Sequence, residues 1–403
     1  MTTPESAQGL SPSAPACPGC GEQAQPGAYC GACGYHLAGH YIGGRRGRLH
    51  SYAAAPQEHV LRLSVVSSLF PHLPHRSHAP FRAGLAMLVV VLALLAVFRL
   101  QAPVVAVSAV GFPLLFQLYL QESDVYADLS RSVVIGIAAF GALLGWGWSQ
   151  LTANPVASSF GDRLGGSRNQ EQIWTVGIAI PVGGVIVMLL PIALWRLRRR
   201  ADAEGLDGFV LGSAAALAFA AAATVTRLAP QLKAGLVAHG RPVQGLLVEA
   251  GLQGVTVPLT AACAGGLFGA ALWVSRRDPV HPGRILTSPV VAAAVIVALY
   301  AGLGLIDLWQ PAEVGLFGLH AAVCVLLLIG LRLGMHAMLL HEHHPPVPGP
   351  PAFCQQCLNL VPQMPFCPHC GVARRATSRS SRAALRLDRT VEILDPTSRG
   401  DLP

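Results

Sequence analysis

The stretch Gln172–Ala229 decides how this chain is read: QIWTVGIAIPVGGVIVMLLPIALW (172–195), RLRRR (196–200), then ADAEGLDGFVLGSAAALAFAAAATVTRLA (201–229). A helix needs about 20 apolar residues to cross a bilayer; Ile173–Trp195 meets that length and Gly208–Thr226 nearly does. Arg196, Arg198, Arg199 and Arg200 lie between the two. Loops rich in Arg and Lys stay on the cytoplasmic side, so this linker is expected inside, and every other span takes its direction from it.

The composition agrees. Of 403 residues, 52% are hydrophobic and only 12% charged, against about 25% charged in soluble domains. The first 80 residues are polar and rich in Pro, Gly and Ser, so no cleavable signal peptide is expected. The net charge of +8 comes from arginine, with Lys233 the one lysine. These arginines are spread over short loops and tails, which argues against a nucleic-acid partner.

Working outward, eight apolar spans are expected: Ala83–Leu100, Ala102–Leu120, Ser132–Leu151, Ile173–Trp195, Gly208–Thr226, Val255–Val274, Pro289–Ile306 and Val314–Leu331. Gly141-x-x-x-Gly145 and Gly265-x-x-x-Gly269 would let helices approach closely. The piece VQGLLVEAGL (243–252) reads as an amphipathic helix on the membrane surface. An even count puts both termini in the cytoplasm of a multi-pass cell-membrane protein. No Asp, Glu, Lys or Arg lies mid-span, and His320 is the one ionisable side chain well inside a span. Proton relays, ion-coupled transporters and intramembrane hydrolases rely on such groups.

Cysteine carries the most specific chemical signal. Eight of the ten cysteines form four Cys-x-x-Cys pairs. Cys17, Cys20, Cys30 and Cys33 lie near one end, and Cys354, Cys357, Cys367 and Cys370, at the same spacing, near the other. Each pair offers two thiolates from one turn, and four thiolates make a tetrahedral zinc site. Reducing cytosol keeps such thiols free, so two structural zinc ions are expected. Gly21 and Gly34 stand where the turn needs positive φ. Cys263 and Cys324 read as small buried hydrophobes.

One further likeness rests on Pro181–Pro191 (PVGGVIVMLLP) followed by LDGFVLGSAAALAFAAAA (206–223). This resembles the core of the PrsW-type intramembrane glutamic proteases over residues 173–274. The family carries Glu-Glu-x-x-Lys in one helix, an arginine-rich loop, a Leu-Asp-Gly start, Phe-x-x-x-Glu and a histidine in a later helix. Leu206-Asp207-Gly208 and Phe219 match. The paired glutamates fall at Gly184 and Val185, the lysine at Met188, the third glutamate at Ala223 and the histidine near Ala261. The resemblance implies the protease frame without its chemistry, so no catalytic residue is assigned. The layout also resembles zinc-ribbon membrane proteins of actinobacteria.

The expected organisation is an all-α polytopic membrane protein with a zinc ribbon at each terminus. Residues 1–16 are expected to be disordered, 17–36 a ribbon and 37–80 a linker. Residues 81–344 form the eight-helix domain, 345–353 a Pro-rich spacer, 354–373 the second ribbon and 374–403 a disordered basic tail. The histidines at 72, 75 and 78 read as solvated linker, and His341, His343 and His344 as a polar helix end. The functional reading is a non-catalytic, pseudoprotease-like scaffold or regulator. It sits among membrane lipids, and its cytoplasmic ribbons bind a protein partner. Two alternatives stand beside it: a transporter or lipid-handling protein, and an active protease with a relocated site built from Glu249, His239 and His320.

Overall fold

The computed structural model describes residues 15–37, 51–71, 73, 77–161, 173–198, 204–233, 235–237, 240–274, 288–309, 312–341 and 349–383. The histidines at 72 and 75, His239, and the histidines at 343 and 344 lie outside these residues. The chain divides into two units: a ribbon unit of residues 1–60, 343–377 and 382–403, and a helical unit of residues 61–342 and 378–381.

Among the described residues the helical unit holds eight helices long and apolar enough to cross a membrane: His78–Val97, Gln101–Glu122, Arg131–Val156, Ile173–Arg198, Gly205–Leu232, Val243–Trp273, Pro289–Trp309 and Glu313–Leu340. The count agrees with the apolar pattern, and most helices run past the apolar stretch. A helix keeps satisfying its own backbone after its hydrophobic stripe ends.

The fifth and sixth helices form the centre. Gly208 and Gly212 of the fifth face Gly269 and Gly265 of the sixth backbone to backbone, and a Cβ at any of the four would strike the opposing main chain. On another side, Gly141 and Gly145 of the third helix abut the carbonyls of Ala215 and Phe219. Both Gly-x-x-x-Gly motifs thus pack against the fifth helix. Close backbone approach favours association through dispersion, which matters where apolar surface gains nothing by leaving lipid. Cys263 and Cys324 are buried in this packing.

The fourth helix opens as a π-helix over Ile173–Ala179. Pro181 has no N–H to give the carbonyl of Gly177, and wide turns commonly take up such a gap. That carbonyl lies against Gly304 of the seventh helix. The expected surface helix over 243–252 is corrected: Val243–Gly251 continues through a π-turn, Leu252–Thr256, into Val257–Trp273 as one span. Leu246 and Ala250 are buried, so its apolar face packs on protein, and the π-turn carries the helix on into the segment that holds Pro258.

Part of the expected linker is also ordered. Val65–Leu69 forms a short helix, with the Ser64 hydroxyl accepting the Ser67 N–H at 3.4 Å. Arg332, 2% exposed, donates from the eighth helix to the hydroxyls of Ser67 at 2.7 Å and Ser68 at 3.1 Å. Phe70 joins an aromatic cluster with Phe81, Phe116 and Tyr119.

Residues 374–383, placed in the expected disordered tail, are ordered, and the rest of that tail lies outside the described residues. Arg374–Ala376 is a 3-10 turn and residues 379–383 are helical. The Asp128 carboxylate accepts the backbone N–H groups of Arg379 at 2.5 Å and Ser380 at 2.7 Å. The Arg379 guanidinium pairs with Asp207 at 2.9 Å. A carboxylate on two N–H groups at a helix start is a charged cap, favoured by the helix dipole.

Candidate metal centres

The ribbon unit repeats one local design four times. In each Cys-x-x-Cys turn the first cysteine's carbonyl accepts the N–H four residues on. The pairs are Gly21 to Cys17 and Gly34 to Cys30, both at 2.8 Å, Leu358 to Cys354 at 2.7 Å, and Gly371 to Cys367 at 2.8 Å. The first cysteine's own N–H donates to the carbonyl five residues on, in Glu22, Tyr35, Asn359 and Val372. This closes a knuckle that aims both sulfurs inward. The residue after the second cysteine takes positive φ: 78° at Gly21 and 71° at Gly34, as expected, 77° at Gly371, and 57° at Leu358. Leucine in that region costs about 1–2 kcal/mol because its Cβ crowds the carbonyl.

Two knuckles meet in each ribbon. Cys17 Sγ lies 3.7 Å from Cys33 Sγ, and Cys20 Sγ 3.8 Å from Cys30 Sγ. At the other end the Cys354–Cys370 and Cys357–Cys367 distances are 3.7 and 3.8 Å. A tetrahedron with metal–sulfur bonds of about 2.3 Å has edges of about 3.8 Å, so both clusters have the size of a four-thiolate metal site. All eight thiols are free, and these separations are far longer than the disulfide bond of about 2.05 Å. Both groups can hold a metal ion. The clustering already favours thiolate. A hydrogen bond from Cys33 is the main cause that lowers Cys30 to about 5, and one from Cys354 the main cause that lowers Cys367 to about 4. Cys33 is pushed up chiefly by its bond with Cys30, and Cys370 chiefly by its bond with Cys354. Such a cluster holds one ready anion and draws a cation to release the remaining protons.

The ribbons do not stand apart. The Tyr29 N–H donates to the Pro368 carbonyl at 3.0 Å, and the Phe366 N–H donates to the Gly31 carbonyl at 2.9 Å. Tyr29 and Phe366 each precede the third cysteine of their ribbon; Gly31 and Pro368 each follow it. The side chains obey the same exchange: Phe366 lies over Gly34, and Tyr29 lies over Gly371. The antiparallel bridges also correspond, Ala16–Gln23 with Phe353–Leu360, and Tyr29–His36 with Phe366–Ala373. The two ribbons therefore form a self-complementary pair with pseudo-twofold symmetry, the intramolecular counterpart of an isologous dimer interface. Residues 51–60 complete the unit: Tyr52 and Val60 are buried, and the Ala53 carbonyl accepts the Ala373 N–H at 2.8 Å.

The symmetry fails on the outer surface. Phe353, Leu358 and Leu360 are 42%, 71% and 50% exposed, where the N-terminal ribbon has Ala16, Gly21 and Gln23.

The protease-like positions are packed. Val185, Met188, Ala223 and Ala261 are buried, and a Cβ on Gly184 would come within 2.9 Å of Trp148 Nε1. Glu249 accepts from Gln231 at 2.7 Å and pairs with Arg241 at 2.6 Å. Gln101 extends that chain by donating to Gln231 at 2.7 Å. His320 instead pairs with Asp307 at 2.8 Å. No protein-family model, curated protein or solved structure matches the chain.

Proposed function

We propose that this is a multi-pass membrane protein whose paired zinc ribbons form a docking module for a protein partner, carried by a helical domain that does no chemistry. The observation that carries the reading is the ribbon pair itself. Two four-thiolate clusters are fixed back to back by main-chain hydrogen bonds, and only one ribbon presents an exposed apolar face. Zinc suits an all-thiolate tetrahedron and, with four protein ligands, keeps no open position for catalysis. A leucine held at positive φ on a knuckle is a strained residue of the kind found at functional surfaces.

The pairing also bears on topology. Termini joined by hydrogen bonds lie on one side of a membrane, which an even number of spans satisfies. The arginine-rich linker after Trp195 argues that this side is the cytoplasm. The apolar, tightly packed positions of the protease-like frame support a scaffold that binds without cutting, since a glutamic mechanism needs a positioned carboxylate.

The test is affinity purification from native membranes with wild type, Leu358→Gly, and the four-serine variant of Cys354, Cys357, Cys367 and Cys370. Glycine suits φ near 57°, so Leu358→Gly keeps fold and zinc while removing the apolar tip. The same partner should be enriched with wild type and lost from both variants. A partner retained by both variants excludes the ribbons as the docking module.

A further inference from the structure

We propose that a groove beside the first helix of the membrane unit is a binding site for an anionic phospholipid. The groove has a volume of about 370 Å³. Arg62 and Val65 line one wall, and Arg82, Leu85, Ala86 and Val89 line the other. The second wall is a single helical stripe, since positions i, i+3, i+4 and i+7 share one face. It runs from a guanidinium near the helix N-terminus to apolar side chains deeper along the span. That is the order of a phospholipid, with its phosphate first and its acyl chain after.

The first wall is held in place. The helix Val65–Leu69 is fixed from behind by Arg332 through Ser67 and Ser68, and Phe70 is locked into the aromatic cluster. Arg62 and Leu63, ahead of that anchor, are exposed, as are Arg82 and Val89 across the groove. A preorganised cleft costs little to fill. Its two arginines give it the charge of an anionic headgroup site, and basic clefts at the ends of spans select such lipids. An arginine fork also pairs with phosphate in a bidentate manner. The acyl chain would lie along Leu85 and Val89, where lipid and side chain are equally apolar.

The inference rests on the reading of the helical unit as membrane-spanning, not on the ribbons or on zinc. Carbonate washing of membranes tests that premise first; release into the supernatant overturns it and the lipid site with it. Full-length protein in nanodiscs then reads the site itself, with phosphatidylglycerol titrated against phosphatidylcholine. Each arginine near an anionic surface is worth about a fivefold preference, so the pair should give a phosphatidylglycerol preference of about 25-fold. The double variant Arg62→Gln/Arg82→Gln should lose it. Arg62→Lys/Arg82→Lys should keep most of it. Arg62→Glu, altering one exposed position, guards against misfolding of the double variant and should lose the preference too. A wild-type protein indifferent to headgroup charge overturns the proposal even if the carbonate wash is passed. So does a preference surviving Arg62→Glu, or displacement of the lipid by soluble glycerol phosphate at equal concentration, which would make the site one for free phosphate.

Discussion

Three glycines separate the strain of a knuckle from the fit between the ribbons. Gly21, Gly34 and Gly371 have almost the same φ, at 78°, 71° and 77°. They differ in what a Cβ would meet: at Gly21 nothing lies within 4 Å, at Gly34 the Phe366 ring lies at 2.7 Å, and at Gly371 the Tyr29 ring lies at 2.5 Å. Alanine at any of them bears the left-handed backbone cost of about 1–2 kcal/mol. At Gly34 and Gly371 it must also displace an aromatic ring in a packed interface, which adds about 1–3 kcal/mol. The difference between Gly34→Ala and Gly21→Ala is therefore the interface alone, worth roughly 5-fold to 150-fold in an opening equilibrium. The assay is zinc release from the full-length protein in detergent to a chromogenic chelator. Gly21→Ala should accelerate release moderately, and Gly34→Ala and Gly371→Ala much more. Adding Phe366→Ala to Gly34→Ala should recover part of the loss, giving a coupling of about 1–2 kcal/mol in a double-mutant cycle. Equal release from Gly21→Ala and Gly34→Ala, with no coupling, would refute the pairing of the ribbons.

Metal analysis should find two zinc ions per chain, held at neutral pH and released on acidification. A depressed thiol pKa stabilises the folded site above its unfolded value of about 8.5, and that contribution is lost as pH falls through about 5 for Cys30 and about 4 for Cys367. Zinc still bound well below pH 4 would contradict thiolate ligation. Arg332→Ala should cost about 2–4 kcal/mol, since it strips a charged donor from two buried serine hydroxyls and leaves a void. The readout is a thermal melt in detergent with proteolysis of residues 61–73, and an unchanged melt and cleavage pattern would show that Arg332 does not anchor the segment. Purified protein incubated with transmembrane peptides in liposomes should give no cleavage. Cleavage abolished by both Glu249→Gln and His320→Ala would instead favour the relocated protease.

The helices and the cysteine clusters were legible because each rests on a local pattern. Twenty apolar residues or two Cys-x-x-Cys pairs carry their meaning wherever they occur. What escaped depends on distant partners. Nothing near Ser67 announces that Arg332 will reach it, and a five-residue helix is too short to show a period. The continuation of 243–252 into the sixth span was hidden because an amphipathic face reads alike whether lipid or protein covers it. The pairing of the ribbons left one available sign. The two modules share their spacing and carry an aromatic residue, Tyr29 or Phe366, at the same place before the third cysteine. Equivalent aromatics opposite equivalent glycines suggest a self-complementary surface, though the pattern alone does not say that the copies meet.

The exchange between Tyr29 and Pro368 and between Phe366 and Gly31 also sets a timetable. The first ribbon leaves the ribosome with its mating surface complete but its mate unwritten. More than 300 residues must follow, and at about 5–20 residues per second that is a wait of about 15–60 s. For all of it Tyr29 has no glycine to cover. The pair closes only on a chain translated through its second ribbon. A chain truncated before that point leaves the first ribbon single. The joined ribbons are thus a built-in record that translation has reached the second ribbon.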